Sequence, residues 1–131
     1  MCKDKQIRLV IFGGKSFKNY KRLSRDLDKY IEEISPTHRK DLELIYGDNR
    51  TIDKLTERYA IERGFKHRKY EAYWSHDGDQ AGYLRNNIML KHASKGIGGL
   101  FIFWDGKSID AKNMVELATH YGIDELHVER Y

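Results

Sequence analysis

The chain has 131 residues, 34% of them charged, with 24 Lys and Arg against 20 Asp and Glu for a net charge of +4 at pH 7. A 40% hydrophobic share, 12% aromatic, supplies a core and argues against disorder, and the length suits one domain spanning 1–131. One cysteine excludes a disulfide scaffold and fits a reducing, cytoplasmic setting; no apolar run is long enough for a membrane span, Met1–Arg8 is too polar for a signal peptide, and a net charge this small calls for no nucleic acid.

In chain order, Ile7–Phe12 is short, β-branched and nearly continuous in apolarity, the pattern of a strand buried on both faces, and it stops at Gly13–Gly14. Tyr20, Leu23, Leu27, Tyr30, Ile31 and Ile34 then recur at helical spacing until Ser35–Pro36 removes a backbone donor. Leu42–Tyr46 predicts a second strand, broken at Gly47. Thr51 is placed to cap a helix carrying Ile52, Leu55, Tyr59 and Ala60, with Gly64 beyond its end. A third strand is expected within Phe65–Ala72, followed by an aperiodic stretch, Tyr73–Gly82. A helix from Tyr83 to about Lys95, a strong strand at Gly98–Trp104, a helix over Asp110–His120 closed by Gly122, and a last strand at Glu125–Val128 complete the pattern. Strict alternation of strand and helix predicts an α/β fold: a Rossmann-like three-layer αβα sandwich on a mostly parallel sheet of about five strands.

In such a sheet ligands bind beyond the carboxyl ends of the strands, where strand order reverses. The residues expected there are Gly13–Gly14–Lys15–Ser16, Gly47–Asp48–Asn49–Arg50–Thr51, Tyr73–Trp74 and Asp105–Gly106–Lys107–Ser108. Glycines let backbone N–H groups turn toward a ligand, helix N-termini favour anions, and Lys15, Arg50, Lys107 and Lys112 add positive charge. The same glycines also serve tight turns with no ligand at all. Neither a Gly-x-Gly-x-x-Gly fingerprint nor a Walker A loop follows the first strand, so no nicotinamide or ATP cofactor is expected.

Three blocks carry a resemblance: Val10–Ile11–Phe12–Gly13–Gly14–Lys15–Ser16–Phe17; Leu44–Ile45–Tyr46–Gly47–Asp48–Asn49–Arg50–Thr51–Ile52–Asp53; and Arg85–Asn86–Asn87–Ile88–Met89 followed by Phe103–Trp104–Asp105–Gly106–Lys107–Ser108. From about Arg8 to Gly122 the chain resembles the YspA-type branch of the SLOG superfamily, related to the LOG phosphoribohydrolases and the Rossmann-like domain of DprA, with small phage-encoded members. The resemblance implies a nucleotide or nucleotide-derived ligand, held for sensing or sequestration. Taken with the strand-end residues above and with Trp74 of the aperiodic stretch, it puts the expected ligand among Gly13, Gly14, Lys15, Ser16, Gly47, Asn49, Arg50, Asp53, Trp74, Arg85, Asn86, Trp104, Gly106, Lys107 and Ser108.

The departures point away from bare phosphate. The family turn Gly-Gly-Ala-x-Gly-Ala-Asp reads Gly47–Asp48–Asn49–Arg50–Thr51–Ile52–Asp53 here, and the family Gly-Thr pair becomes Asp110–Ala111. A carboxylate about 4–5 Å from a phosphate costs about 1–4 kcal/mol, depending on local dielectric. The glutamate that the LOG enzymes use on the ribose–base bond aligns with Asn113, which cannot act as a general base. A nucleotide-processing hydrolase cleaving an N-glycosidic or phosphate bond is therefore the alternative reading, with Arg85, Asp53 or Glu116 involved.

Asp53 suits either a helix-dipole complement at N2 or a ribose-hydroxyl acceptor, and Trp74 either packing or stacking on a ring. Arg85, read at a helix start where a cation opposes the dipole, suggests a ligand role. His76, Asp77 and Asp79 fall short of a metal site. Lys66–His67–Arg68–Lys69 reads as a solvated strand edge rather than a nucleic-acid contact, leaving single-stranded nucleic acid as a further alternative. The expected partners are thus a nucleotide-like small molecule and, by analogy with such folds, a homodimer or higher homo-oligomer, with no membrane.

Overall fold

A computed structural model describes residues 6–34 and 41–131. Five parallel strands form one sheet in the order β3-β2-β1-β4-β5: β1 Ile7–Gly13, β2 Glu43–Tyr46, β3 Lys66–Lys69, β4 Ile97–Trp104 and β5 Glu125–Arg130. The long helices are α1 Tyr20–Glu32, α2 Thr51–Arg63, α4 Ala81–Ala93 and α5 Ile109–His120, and α3 is a single turn at Trp74–Asp77.

Alternation along the two central strands builds the layers. Leu9 and Ile11 of β1 and Phe101 and Phe103 of β4 share one face with Leu23, Leu27 and Ile31 of α1 and Ile52, Tyr59 and Ala60 of α2. Val10, Phe12, Leu100 and Ile102 turn to the other face, against Met89, Leu90 and Ala93 of α4 and Ala111, Met114 and Leu117 of α5. Because β1 and β4 are covered on both sides they are apolar apart from Arg8 near the start of β1, and they pair over seven positions from Ile7↔Ile97 to Gly13↔Phe103. The architecture is the Rossmann-like three-layer sandwich expected from the alternation.

Local chemistry sets the ends. Asn49 and Asn19 differ in role: the Asn19 side chain accepts from Arg22 N at 3.0 Å and caps α1. Gly64, at φ 72°, closes α2 in the left-handed region that other residues adopt at a cost. The stop assigned to Ser35–Pro36 lies outside the described residues; α1 has already ended at Glu32.

Several boundaries differ from expectation. Tyr73–Gly82 is not one loop: it holds α3, a 3₁₀ turn at Gly78–Gln80, and the start of α4 at Ala81, two residues ahead of Tyr83. A four-residue helix followed by a three-residue 3₁₀ turn is too short to show a period, which is why the segment reads as aperiodic. Arg85 accordingly lies inside α4 rather than at its start. Thr51 is the first helical residue of α2 and Arg50 its N-cap, so Asp53 stands at N3 instead of N2. Strand β5 continues to Arg130 because backbone pairing of Glu129 with Phe103 and Arg130 with Trp104 holds it, whatever the polarity of its side chains.

At the carboxyl end of β1, Phe17 stacks on Phe103 with ring centroids 4.4 Å apart and meets Tyr131 edge-on at 5.1 Å. The Tyr131 hydroxyl pairs with Ser16 Oγ at 2.8 Å. This aromatic plug packs on the α1–α2 face of the strand ends, with an open hollow of about 600 Å³ beside Ser16, Phe17 and Tyr131. A further cleft lies on the α4–α5 face.

Candidate functional site

The chain crosses from one face of the sheet to the other between β3 and β4, so β1 and β4 flank the point where strand order reverses. A cleft of about 350 Å³ lies there, beyond the ends of β1 and β2 and under α4 and α5. Its floor is built from the loop after β2.

That loop is organised by Asp53. The carboxylate, 5% exposed, accepts from three backbone N–H groups: Gly47 at 3.1 Å, Asn49 at 3.2 Å and Arg50 at 3.0 Å. The Arg50 contact is half of a capping box, N3 side chain to N-cap amide. Gly47 is required by close approach, since a Cβ there would stand 2.7 Å from Arg85 Nη1 and 3.1 Å from Asp53 Oδ2. Asp53 therefore serves the loop backbone, not the cleft surface.

Arg85 reaches the loop from α4 and is 5% exposed. Its Nη1 donates to Asp48 Oδ1 at 2.9 Å, its Nη2 to Asn49 Oδ1 at 3.1 Å and its Nε to Asn86 Oδ1 at 3.0 Å. Burial pulls its pKa down while the nearby charges of Asp53 and Asp48 oppose the shift; a guanidinium stays charged at neutral pH regardless. Asp48 also accepts from Ala72 N at 3.4 Å, tying in the chain after β3. Arg50, at the N-cap of α2, links β1 and α5: Nη1 donates to Gly13 O at 2.8 Å, Nη2 to Asp110 Oδ2 at 2.5 Å, and the guanidinium lies 4.7 Å from the Phe12 ring centroid. Its Nε is buried without a partner among the described residues.

Six of the residues singled out in the sequence line this cleft: Lys15, Asn49, Arg50, Trp74, Arg85 and Asn86. Gly47 and Asp53 support it from behind. The Gly13 carbonyl holds Arg50, whereas Gly14 N bonds Phe103 O at 3.1 Å and a Cβ on Gly14 would strike the Tyr131 hydroxyl, so Gly14 and Ser16 belong to the aromatic plug. Trp104, Gly106, Lys107 and Ser108 stand apart. Trp104 packs on the α4–α5 core and donates to Ser108 O at 3.0 Å, and Gly106 lies against the Arg130 guanidinium. Asp105 accepts from Lys107 N and Ser108 N, both at 2.8 Å, and these bonds hold its carboxyl below the usual range. That turn thus satisfies its own amides.

The cleft also takes residues outside the expected set: Asp79 and Gly82 from the aperiodic stretch, Tyr83 from α4, and Asp110, Asn113, Met114 and Leu117 from α5. Met114 and Leu117 fit the apolar stripe of a core helix, which hides their second role. Asp110 and Asn113 follow the strongest strand at the start of a helix, and that position was the available signal.

A cleft of similar volume, about 360 Å³, opens at the amino ends of β1 and β4 among Leu9, Tyr30, Glu33, Gly99 and Glu125. Among the described residues its lining holds the carboxylates of Glu33 and Glu125, and helix carboxyl ends point that way, which suits an anionic ligand less well. The chemistry favours the carboxyl-end cleft.

Residues 7–76, running from β1 through α3, match the model of the YspA, cpYpsA-related SLOG family. The chain belongs to that family. The match spans the Gly13–Ser16 turn, the Asp53-centred loop and Trp74, while α4 and α5 of this SLOG domain lie beyond the matched residues. No curated protein and no solved structure matches the chain. No helix among the described residues is long and apolar enough to cross a membrane.

Proposed function

We propose that this SLOG domain binds a nucleotide or nucleotide-derived small molecule in the cleft at the strand carboxyl ends, acting as a sensor or sequestering module. Family membership is consistent with nucleotide-related binding or processing. The observation that carries the reading is convergence at the reversal point of the sheet: Arg50 and Arg85, the exposed ring of Trp74, and a run of side-chain amides line one cleft. A volume of about 350 Å³ stands at the low end of the roughly 300–1,000 Å³ typical of small-molecule sites, which suits one nucleoside unit better than a dinucleotide.

Binding is favoured over hydrolysis by the state of the carboxylates. Asp110 is tied to Arg50, Asp48 to Arg85, and Asp53 to backbone amides, while Glu116 is exposed and off the cleft. Among the described residues Asp79 is the one lining carboxylate with no ion pair, and a general base must reach the proton it abstracts. Nucleic acid is disfavoured too. On the basic β3 edge Lys66 pairs with Asp41 at 3.2 Å and Lys69 with Glu57 at 3.1 Å.

Thermal-shift and calorimetric titration against nucleosides, nucleoside mono-, di- and triphosphates and cyclic nucleotides tests the reading. Saturable binding that is weakened by Trp74→Ala supports it. No response from any member at millimolar concentration rejects it. Release of free base from a nucleoside monophosphate would replace binding with hydrolysis.

A further inference from the structure

We infer, resting on the reading above, that the cleft recognises the uncharged nucleoside part of its ligand and that phosphate contributes little, because the protein's own carboxylates occupy its guanidinium groups. Both arginines arrive already neutralised. Arg85, with a side chain 4% exposed, is paired with Asp48 at 2.9 Å, and Arg50, 11% exposed, with Asp110 at 2.5 Å. A phosphate seeking either fork must displace a carboxylate held in contact. Lys15 is the remaining cation of the lining, and Asp79 shares the same cleft. One exposed lysine adds at most about fivefold to the affinity of an anion, and less at physiological salt.

The neutral groups of the cleft have a defined polarity. A guanidinium only donates, so the amide oxygens of Asn49 and Asn86 must face Arg85, as their 3.1 Å and 3.0 Å bonds show. That fixes the flip of both amides and leaves their NH₂ groups as the hydrogen-bonding groups available to a ligand. Asn113, on α5, brings a third amide to the same lining. Trp74 is 47% exposed and Tyr83 52% exposed, each on the rim. Amide donors beside exposed rings suit a flat heterocycle bearing carbonyl or ring-nitrogen acceptors, with a hydroxyl-rich sugar attached. The matching chemical class is a nucleoside, free or as part of a larger nucleotide.

The test is calorimetry on the full chain with the four common ribonucleosides, their 5′-monophosphates and inorganic phosphate, at two salt concentrations. The expected result is a preferred nucleoside whose Kd lies within about threefold of that of its monophosphate, weak dependence on salt, and no competition from inorganic phosphate. Asp110→Asn frees the Arg50 fork, and in this variant the ratio of monophosphate to nucleoside affinity should rise about tenfold. Asp110 is 46% exposed, so the variant is expected to fold, with far-ultraviolet circular dichroism as the control. Trp74→Ala should weaken nucleoside and monophosphate alike, by about 5- to 150-fold.

A monophosphate that binds wild type more than about thirtyfold better than its nucleoside, with phosphate competing, overturns this inference and leaves nucleotide binding standing. Silence from nucleosides and nucleotides alike removes both. A free nucleoside that binds as tightly as any larger nucleotide identifies the free compound as sufficient. A larger nucleotide that binds more tightly at unchanged salt dependence places the nucleoside within it.

Discussion

Replacing Arg85 by methionine is the most demanding test of how the site is held together. The side chain keeps its length and apolar stem but loses the charge that faces Asp48 at 2.9 Å and the donors to Asn49 and Asn86. Removing one member of a buried ion pair costs about 3–5 kcal/mol, because the other charge is left without compensation. Asp48 has a side chain 23% exposed and can recover part of its hydration, so the expected loss is about 2–4 kcal/mol. Against a typical domain stability of about 5–15 kcal/mol, that is a large share. For a chain of this size it lowers Tm by about 6–20 °C.

Urea unfolding followed by tryptophan fluorescence measures the loss, and a cycle with Asp48→Asn isolates its origin. The double variant should be more stable than the sum of the two single effects requires, by about 1–3 kcal/mol. Arg85→Lys, which keeps charge but not the three-way fork, should fall between methionine and wild type. A loss under about 1 kcal/mol for Arg85→Met, with no coupling to Asp48, would refute the claim that this pair holds the cleft floor.

Gly47→Ala drives a Cβ to 2.7 Å from Arg85 Nη1 and should cost about 1–3 kcal/mol through displacement of the guanidinium, read in the same unfolding assay; a neutral effect would show that the loop yields freely. Asp28 is held below the usual carboxylate range by its hydrogen bonds from Arg63, with the Tyr59 hydroxyl helping and burial opposing. A lowered folded pKa means the stabilisation is present at neutral pH and is lost as pH falls below about 4, so Asp28→Asn should flatten the acid limb of the stability–pH curve. An unchanged acid limb would count against the Asp28 pairing. Tyr59→Phe, which removes the 2.7 Å bond to Asp28 from a buried ring, should cost about 0.5–1.5 kcal/mol by the same measurement.

Much of the fold was legible because its strongest signals are local. Apolar continuity in Ile7–Phe12 and Gly98–Trp104 follows from burial on both faces, and the spacing of Leu23, Leu27 and Ile31 follows from one helix face meeting the sheet. The one-turn helix at Trp74 and the early start of α4 carry no period long enough to read. Site residues were found where a strand end met a charge or a glycine, as at Lys15, Asn49 and Arg50. Cleft-lining residues are hidden where a residue serves the core as well, as at Met114 and Leu117, or where the local element is too short to show a period, as at Asp79.

The near-balance of charge on this chain, +4 in total, excludes little about its partners. What the sequence determined alone was the alternation of strands and helices, the family, and the presence of arginines and aspartates near one sheet edge. Only the tertiary structure decided which of those charges face each other. Asp48 and Arg85 are 37 residues apart, and Asp110 and Arg50 are 60 apart. Their pairing depends on α4 and α5 being carried to the same face of the sheet, and a charge's effect on a ligand depends on whether it is already compensated at contact distance.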